Sequence, residues 1–370
     1  MIAVAALSAK SPKRKAIVCG FGFLLWFLLL GLRHPTMGVD LIDSTYANGS
    51  PHPGYLTCFT IHINSPWQEV LTGKFFSHGV FISYEIGFRI FCKLLGYIST
   101  NPQILLLACS FVVFAAASLL FYQNSKAPLL SFIIFLGLPF FTFCFSGLRQ
   151  AVAVSITLFS FPFIRDKKPL PFVLVVLLAA AFHKSALFFL PAYPCFWIRT
   201  EKPFFMAASL ILLVLVFLLC KPLYSIVQRL FPAYPITYTG AYNFFFLLTA
   251  IYLASLVFQD KNNIVEIGYR NLFYIACLIQ IAATISTGAM RMGYYYVGFA
   301  SLLLPEIICG NRFQQDPDPA SPLLQRLMNQ RNAKLLYVLT LLFFLAIGLY
   351  FLATTSLSMS NPYRFFWQTA

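Results

Sequence analysis

Charge is what this chain has least of. Only 10% of its 370 residues are Asp, Glu, Lys or Arg, whereas a soluble domain carries about 25%. Acid is scarcer still: 11 Asp and Glu stand against 26 Lys and Arg, a net charge of +15. With 59% hydrophobic residues there is too little polar surface to wrap a water-soluble fold. The apolar runs are long, uncharged and interrupted by Pro and Gly, which excludes the alternating pattern of an outer-membrane barrel. Metal-ligand spacing is missing as well. The nine cysteines lie scattered in apolar runs without a CxxC pair, so they read as small packing residues. GxGxxG, P-loop, HExxH and GxSxG signatures are absent, so nothing calls for a nucleotide, a metal or another cofactor.

What is present is a series of apolar segments near the ~20 residues that a helix needs to cross a bilayer. They cover 16–32, 104–122, 128–145, 148–164, 170–182, 185–198, 203–220, 243–258, 270–287, 292–309 and 335–353. The expectation is an all-α polytopic membrane protein with about 11 transmembrane helices, forming one integral membrane domain over 1–370. The segments 170–182 and 185–198 are short and separated only by His183 and Lys184, as in a bent pair. Lys10, Lys13, Arg14 and Lys15 precede the first apolar run, and no small-residue cleavage site follows, so that run reads as a retained helix with its N-terminus in the cytoplasm.

Lys and Arg gather in cytoplasmic loops. With the N-terminus inside, the RDKK cluster at 165–168 and the loop 310–334, with its DPDPASP break, both fall on the cytoplasmic side. The positive excess is therefore topological rather than a sign of nucleic-acid binding. The scheme requires that 81–98, FISYEIGFRIFCKLLGYI, does not cross. Glu85, Arg89 and Lys93 sit there at i, i+4 and i+8, as on an amphipathic helix lying at the interface. The region 33–102 is then a non-cytoplasmic loop holding Asp40, Asp43, Glu69 and Glu85, and all five histidines face the non-cytoplasmic side. Single arginines, Arg149, Arg229, Arg291 and Arg364, lie at span ends on that same side.

The stretch SGLRQAVAVS, 146–155, places Arg149 at the seam of two apolar runs. A membrane-centre Arg costs ~2.5–3.5 kcal/mol, less near the interface. Ser146 reads as an N-cap, so Arg149 falls in the first helical turn, where the helix dipole is already positive. A bound anion offsets both penalties, and Gln150 would add a donor. The plainer alternative is an arginine snorkelling from a helix end. Arg291, in STGAMRMGYYY, repeats the pattern, although its tyrosines would also serve simply to stack on it. His183 in AAAFHKSALFF is either a structural histidine or part of a wet pocket beside Lys184. Glu85 is a candidate general base or an i, i+4 partner of Arg89. Asp40 and Asp43, in MGVDLIDSTY, either turn the loop or bind sugar.

SGLRQAVAVSI, RDKK and FHKSALFFLP together resemble the EpsG family of exopolysaccharide and O-antigen (Wzy-type) polymerases. An arginine after the first helix (Arg33), Gly38-Val39-Asp40, Tyr46, Glu85 with Gly87-Phe88, and the closing NPYRFFW are also similar to that family. The resemblance implies a glycosyltransferase of the bacterial inner membrane that joins undecaprenyl-diphosphate-linked oligosaccharide repeat units on the periplasmic face. Its partners would be that lipid-linked oligosaccharide, the bilayer, and a flippase and chain-length regulator of the same pathway. In that reading Arg149, Gln150 and Arg291 hold the diphosphate, Glu85, His183 or Asp40 takes the proton from the attacking hydroxyl, and no metal takes part. An O-antigen-type ligase would share the arginines and differ in its acceptor. A flippase would more often show repeat symmetry, and no internal repeat is visible.

The topology makes one prediction. Reporter fusions just before Phe81 and just after Asn101 should report the same, non-cytoplasmic side; opposite sides would mean that 81–98 crosses.

Overall fold

The computed structural model describes residues 11–45, 51–73, 75–77, 80–82, 84–230, 241–258, 260–310, 329–354 and 363–368. Tyr46, His78 and most of the 310–334 loop lie outside these residues. Among the described residues helix dominates, with two small antiparallel hairpins, Ser44–Thr45 with Pro51–His52 and Phe75–Ser77 with Val80–Ile82. Five helices among the described residues are long and apolar enough to cross a membrane: Pro12–Gly31, Gln103–Asn124, Pro203–Ile226, Ile264–Ala283 and Gln330–Thr354. The architecture is that of a multi-pass, all-α membrane protein.

Of the remaining apolar runs, 170–182 and 243–258 form the shorter unbroken helices Pro169–Ala180 and Tyr242–Val257, and the others are interrupted. The run 128–145 forms two helices, Pro128–Leu136 and Pro139–Phe143, and 148–164 forms Leu148–Phe159 and Phe161–Arg165. Likewise 292–309 divides into Thr287–Val297 and Ala300–Ile308. The first two breaks have a local reason. Pro139 and Pro162 fall in the first turns of the new helices, where the missing N–H is tolerated. The run 185–198 is not one helix: a 3-10 turn, Lys184–Phe189, precedes the short helix Ala192–Phe196.

The described parts of Lys10–Asn124, Phe132–Leu190 and Leu342–Ala370 make one compact unit, and those of Ser125–Ser131 and Pro191–Leu341 make the other. In the first unit, Pro12–Gly31 packs along Gln103–Asn124, with Gly31 against Leu107 and Ser110. The Leu148–Phe159 helix is built of small residues, Ala151, Val152, Ala153, Val154 and Ser155, all buried. Small side chains let helix backbones approach closely, and it packs on Gln103–Asn124 and on Pro169–Ala180. The chain end is clasped onto the start of the first loop: His34 donates to the Arg364 carbonyl at 2.8 Å and Phe366 donates to the Leu32 carbonyl at 2.9 Å.

The segment 81–98 departs from the expected single helix. Residues 80–82 are extended in a hairpin, as a β-branched and aromatic run favours, and the helix runs only from Ile86 to Gly96. Eleven residues rise about 16 Å, half of the ~30 Å of a bilayer core, so this helix is too short to cross. Its Arg89 and Lys93 side chains turn toward the protein. Arg89 is buried, and Lys93 turns inward to donate to the carbonyls of Ile63 and Ser65 at 2.6 and 2.7 Å, capping the Tyr55–Asn64 helix. Ile86, Leu94, Tyr97 and Ile98 are the exposed residues.

The first loop lies close against residue 145 at Gly38, whose φ is +142°. A Cβ there would lie 2.1 Å from the Phe145 carbonyl oxygen. Gly38→Ala is expected to destabilise the protein by about 1–3 kcal/mol, from backbone strain and displaced chain. Thermal unfolding in detergent measures it, and an unchanged midpoint would show that the loop is not fixed against residue 145.

Candidate functional site

The site begins at the seam that carries Arg149. The expected N-cap is corrected here: Gly147 occupies that position without a side-chain bond, and the Ser146 hydroxyl instead accepts from the Val39 N–H at 3.0 Å. The first loop is thereby tied to the seam. Arg33 completes the tie. It is 0% exposed, with Nε donating to the Met37 carbonyl and Nη2 to the Phe145 carbonyl, both at 3.0 Å, and Nη1 to the Leu30 carbonyl. Its guanidinium lies 5.3 Å from the Phe145 ring centroid. It sits at the C-terminal end of the Pro12–Gly31 helix, where the dipole favours a cation. Arg33 is a buried knot joining helix end, loop and seam.

Three residues after Ser146 stands Arg149, in the first turn of Leu148–Phe159. Its Nη1 donates to Glu85 Oε2 at 2.5 Å in an ion pair whose side chains are 20% and 13% exposed. Nε donates to the Tyr55 hydroxyl at 3.4 Å, and the guanidinium lies 4.0 Å from the Tyr84 ring centroid. The helix dipole opposes a cation here by about 0.3–1 kcal/mol, and the close carboxylate and the aromatic face offset it. Burial pushes the Tyr55 and Tyr84 hydroxyls above their ordinary values, against the pull of Arg149, so both remain protonated phenols. The ring of His62 stacks parallel to Tyr84 at 5.9 Å, and burial lowers the His62 pKa.

Glu85 is held from two sides. It precedes the Ile86–Gly96 helix in extended conformation, and its Oε1 accepts from the backbone N–H of Lys184 at 3.3 Å. Gly87 donates to the Ala181 carbonyl at 2.7 Å, and a Cβ on Gly87 would collide with that carbonyl. His183 caps the 3-10 turn: its Nδ1 accepts from the Ser185 N–H at 3.3 Å and lies 2.6 Å from the Ser185 hydroxyl. Glu85 therefore pairs with Arg149 rather than with Arg89, and its carboxylate meets the turn that presents His183. Asp40 gives its backbone carbonyl to the Tyr55 N–H at 2.9 Å and acts electrostatically on the Tyr55 hydroxyl. Asp43 turns the loop, accepting from Gly54 at 2.8 Å. Gln150 is buried one residue beyond Arg149.

Arg149, Gln150, Glu85, His183 and Asp40 thus belong to one unit. Arg291 belongs to the other, where it is exposed on the Thr287–Val297 helix while Tyr294, Tyr295 and Tyr296 are buried. Among the described residues no His, Cys, Asp and Glu side chains converge as a group of three or more that would hold a metal.

The arginine at the helix start, its acidic partner and the histidine turn lie within the region that a family model covers: the EpsG family matches residues 16–316. The chain belongs to the EpsG family. This is the family of Wzy-type polymerases, and membership suggests a polymerase-type role in polysaccharide synthesis. No curated protein and no solved structure gives a significant match.

Three site residues of this EpsG member escape sequence reasoning in their roles: Arg33, Tyr55 and Tyr84. With 42 Phe and 19 Tyr in the chain, no spacing marks two tyrosines as partners of an arginine. Tyr84 is predicted to hold the guanidinium by its ring. Tyr84→Leu should destabilise the detergent-solubilised protein by about 1 kcal/mol more than Tyr84→Phe, the difference that cation–π contact supplies. Equal losses from the two variants would dismiss the stacking.

Proposed function

We propose that this protein is a polysaccharide polymerase, a glycosyltransferase that joins undecaprenyl-diphosphate-linked oligosaccharide repeat units on the periplasmic face of the bacterial inner membrane. The observation that carries the reading is the Arg149–Glu85 pair walled by Tyr55 and Tyr84, in a chain of the EpsG family. It is a cation and a carboxylate side by side, next to apolar helices, where a polyprenyl diphosphate holds its phosphates.

The reaction needs little else. A hydroxyl of the incoming repeat unit attacks the anomeric carbon of the growing chain, and the lipid diphosphate leaves. Arg149 stabilises the charge that builds on the leaving phosphate. Glu85 is the first choice for the base, because its carboxylate is fixed beside Arg149, with His183 and Asp40 as further candidates in the same unit. Arg291 remains a second candidate for the diphosphate. Energy comes from the glycosyl diphosphate bond itself. The loop 33–102 then faces the periplasm, and 310–334 the cytoplasm.

Deleting the gene and resolving the surface polysaccharide on a gel separates the readings. A single repeat unit on the lipid core marks loss of a polymerase. Lipid-linked polymer that never reaches the core marks a ligase, and repeat units trapped on the cytoplasmic side mark a flippase.

The guanidinium geometry yields a sharper expectation. Two phosphate oxygens fit one guanidinium edge, while an ammonium acts as a point charge. Arg149→Lys should cut polymer output substantially, on the order of tenfold for one lost charge-assisted hydrogen bond, and Arg149→Ala should cut it more. Polymer length is read together with protein abundance in the same membranes. Full-length polymer from Arg149→Ala at normal abundance would remove Arg149 from the site.

A further inference from the structure

We propose that Glu85 is the resident occupant of the anion site at Arg149, and that the substrate diphosphate takes its place, releasing Glu85 to act as base. The proposal rests on the reading of Arg149 as a diphosphate ligand.

The donors of Arg149 carry the inference. Nε is given to the Tyr55 hydroxyl and Nη1 to Glu85 Oε2. A bidentate phosphate grip needs two adjacent donors on one edge of the guanidinium. The edge without Nε is the Nη1–Nη2 edge, and Nη1 is the donor that Glu85 engages, so a phosphate gripped there competes with the carboxylate for it. Tyr84 lies 4.0 Å from the guanidinium, which restricts escape in the direction of the ring.

The surroundings suit an anion. Glu85 Oε1 meets the N–H of Lys184, the first residue of the 3-10 turn, and Oε2 meets the first turn of Leu148–Phe159. Helix starts carry positive dipole ends. The carboxylate itself stands at the start of Ile86–Gly96 but makes no capping bond to it. Its role there is to fill an anion position, not to hold its own helix.

The exchange also explains how Glu85 is both locked and available. When a phosphate draws Arg149 away, the Lys184 N–H still holds Oε1, so the carboxylate stays in place with Oε2 free. Oε2 then accepts the proton of the attacking hydroxyl, whose oxygen bonds to the anomeric carbon. The bond from that carbon to the phosphate oxygen breaks, and its electron pair leaves with the diphosphate. In the resting site the base is tied up, so it is free to activate a nucleophile only when the diphosphate is bound.

Binding of geranylgeranyl diphosphate to the purified full-length protein, titrated calorimetrically at fixed ionic strength, tests the exchange. Removing the competing carboxylate should tighten binding. Glu85→Gln is expected to bind the probe about tenfold more tightly than the unaltered protein, the low end for a close charge pair, because the pair is partly exposed. Glu85→Ala should also bind more tightly, which guards against an effect peculiar to the amide. Glu69→Gln removes an exposed carboxylate of the same loop and should shift affinity by less than about twofold. Unchanged or weaker binding by both Glu85 variants, or equal tightening by Glu69→Gln, would overturn the exchange. If Arg149→Ala abolishes binding in that case, the diphosphate reading of Arg149 still stands. If Arg149→Ala binds the probe like the unaltered protein, that reading falls and the exchange falls with it.

Discussion

An arginine in the first turn of an apolar helix is held by a carboxylate from 64 residues earlier in the chain. Much of the surrounding structure is arranged to keep that pair together. The helix start supplies the cation, and the hairpin and short helix around residue 85 supply the anion. The 3-10 turn after His183 fixes the carboxylate from the far side. Tyr55 and Tyr84 complete the enclosure, and their protonated phenols leave the carboxylate as the anion in direct contact with the guanidinium. The pair is largely shielded from bulk solvent, which strengthens the attraction between its charges and makes the loss of either partner more costly.

A second arginine does different work by similar physics. Arg33 has carbonyl partners and an aromatic face, and it joins the end of the first helix to the seam that starts the Arg149 helix. Gly38 and Ser146 close the same junction, one by lacking a side chain and the other by accepting a loop N–H. The loop that carries Asp40 and leads to Tyr55 is thereby set against the seam, while the clasped chain end braces its beginning. The site is a meeting of loop and helix starts fixed to a membrane scaffold, and the small-residue Leu148–Phe159 helix provides the close packing from which Arg149 projects.

The membrane class and the five long helices were legible in the sequence because hydropathy and length suffice for them. The breaks at Gly137, Ser160 and Gly298 were not, since a hydropathy window sums side chains and ignores where backbone hydrogen bonds change. A helix over 86–96 was legible, but the direction of its charged stripe was not. Charges at i, i+4 and i+8 mark a stripe without saying which way it turns, and the carbonyls of Ile63 and Ser65 drew Lys93 inward. Arg149 was legible because charge is rare in this chain, and the need for an anion followed from its placement. The identity of the anion did not follow. Local spacing favoured Arg89 as the partner of Glu85, and only the fold brings residues 85 and 149 together. Tyr55 and Tyr84 carry no mark in so aromatic a sequence.

The central claim is that Arg149 and Glu85 act as one unit. A double-mutant cycle on thermal stability in detergent, with Arg149→Gln, Glu85→Gln and the double variant, measures it most directly. Each single change strands one charge in a confined place, and the double change strands none. The account predicts that the double variant recovers at least about 1 kcal/mol of the summed single losses. Additive losses, with no recovery, would contradict it.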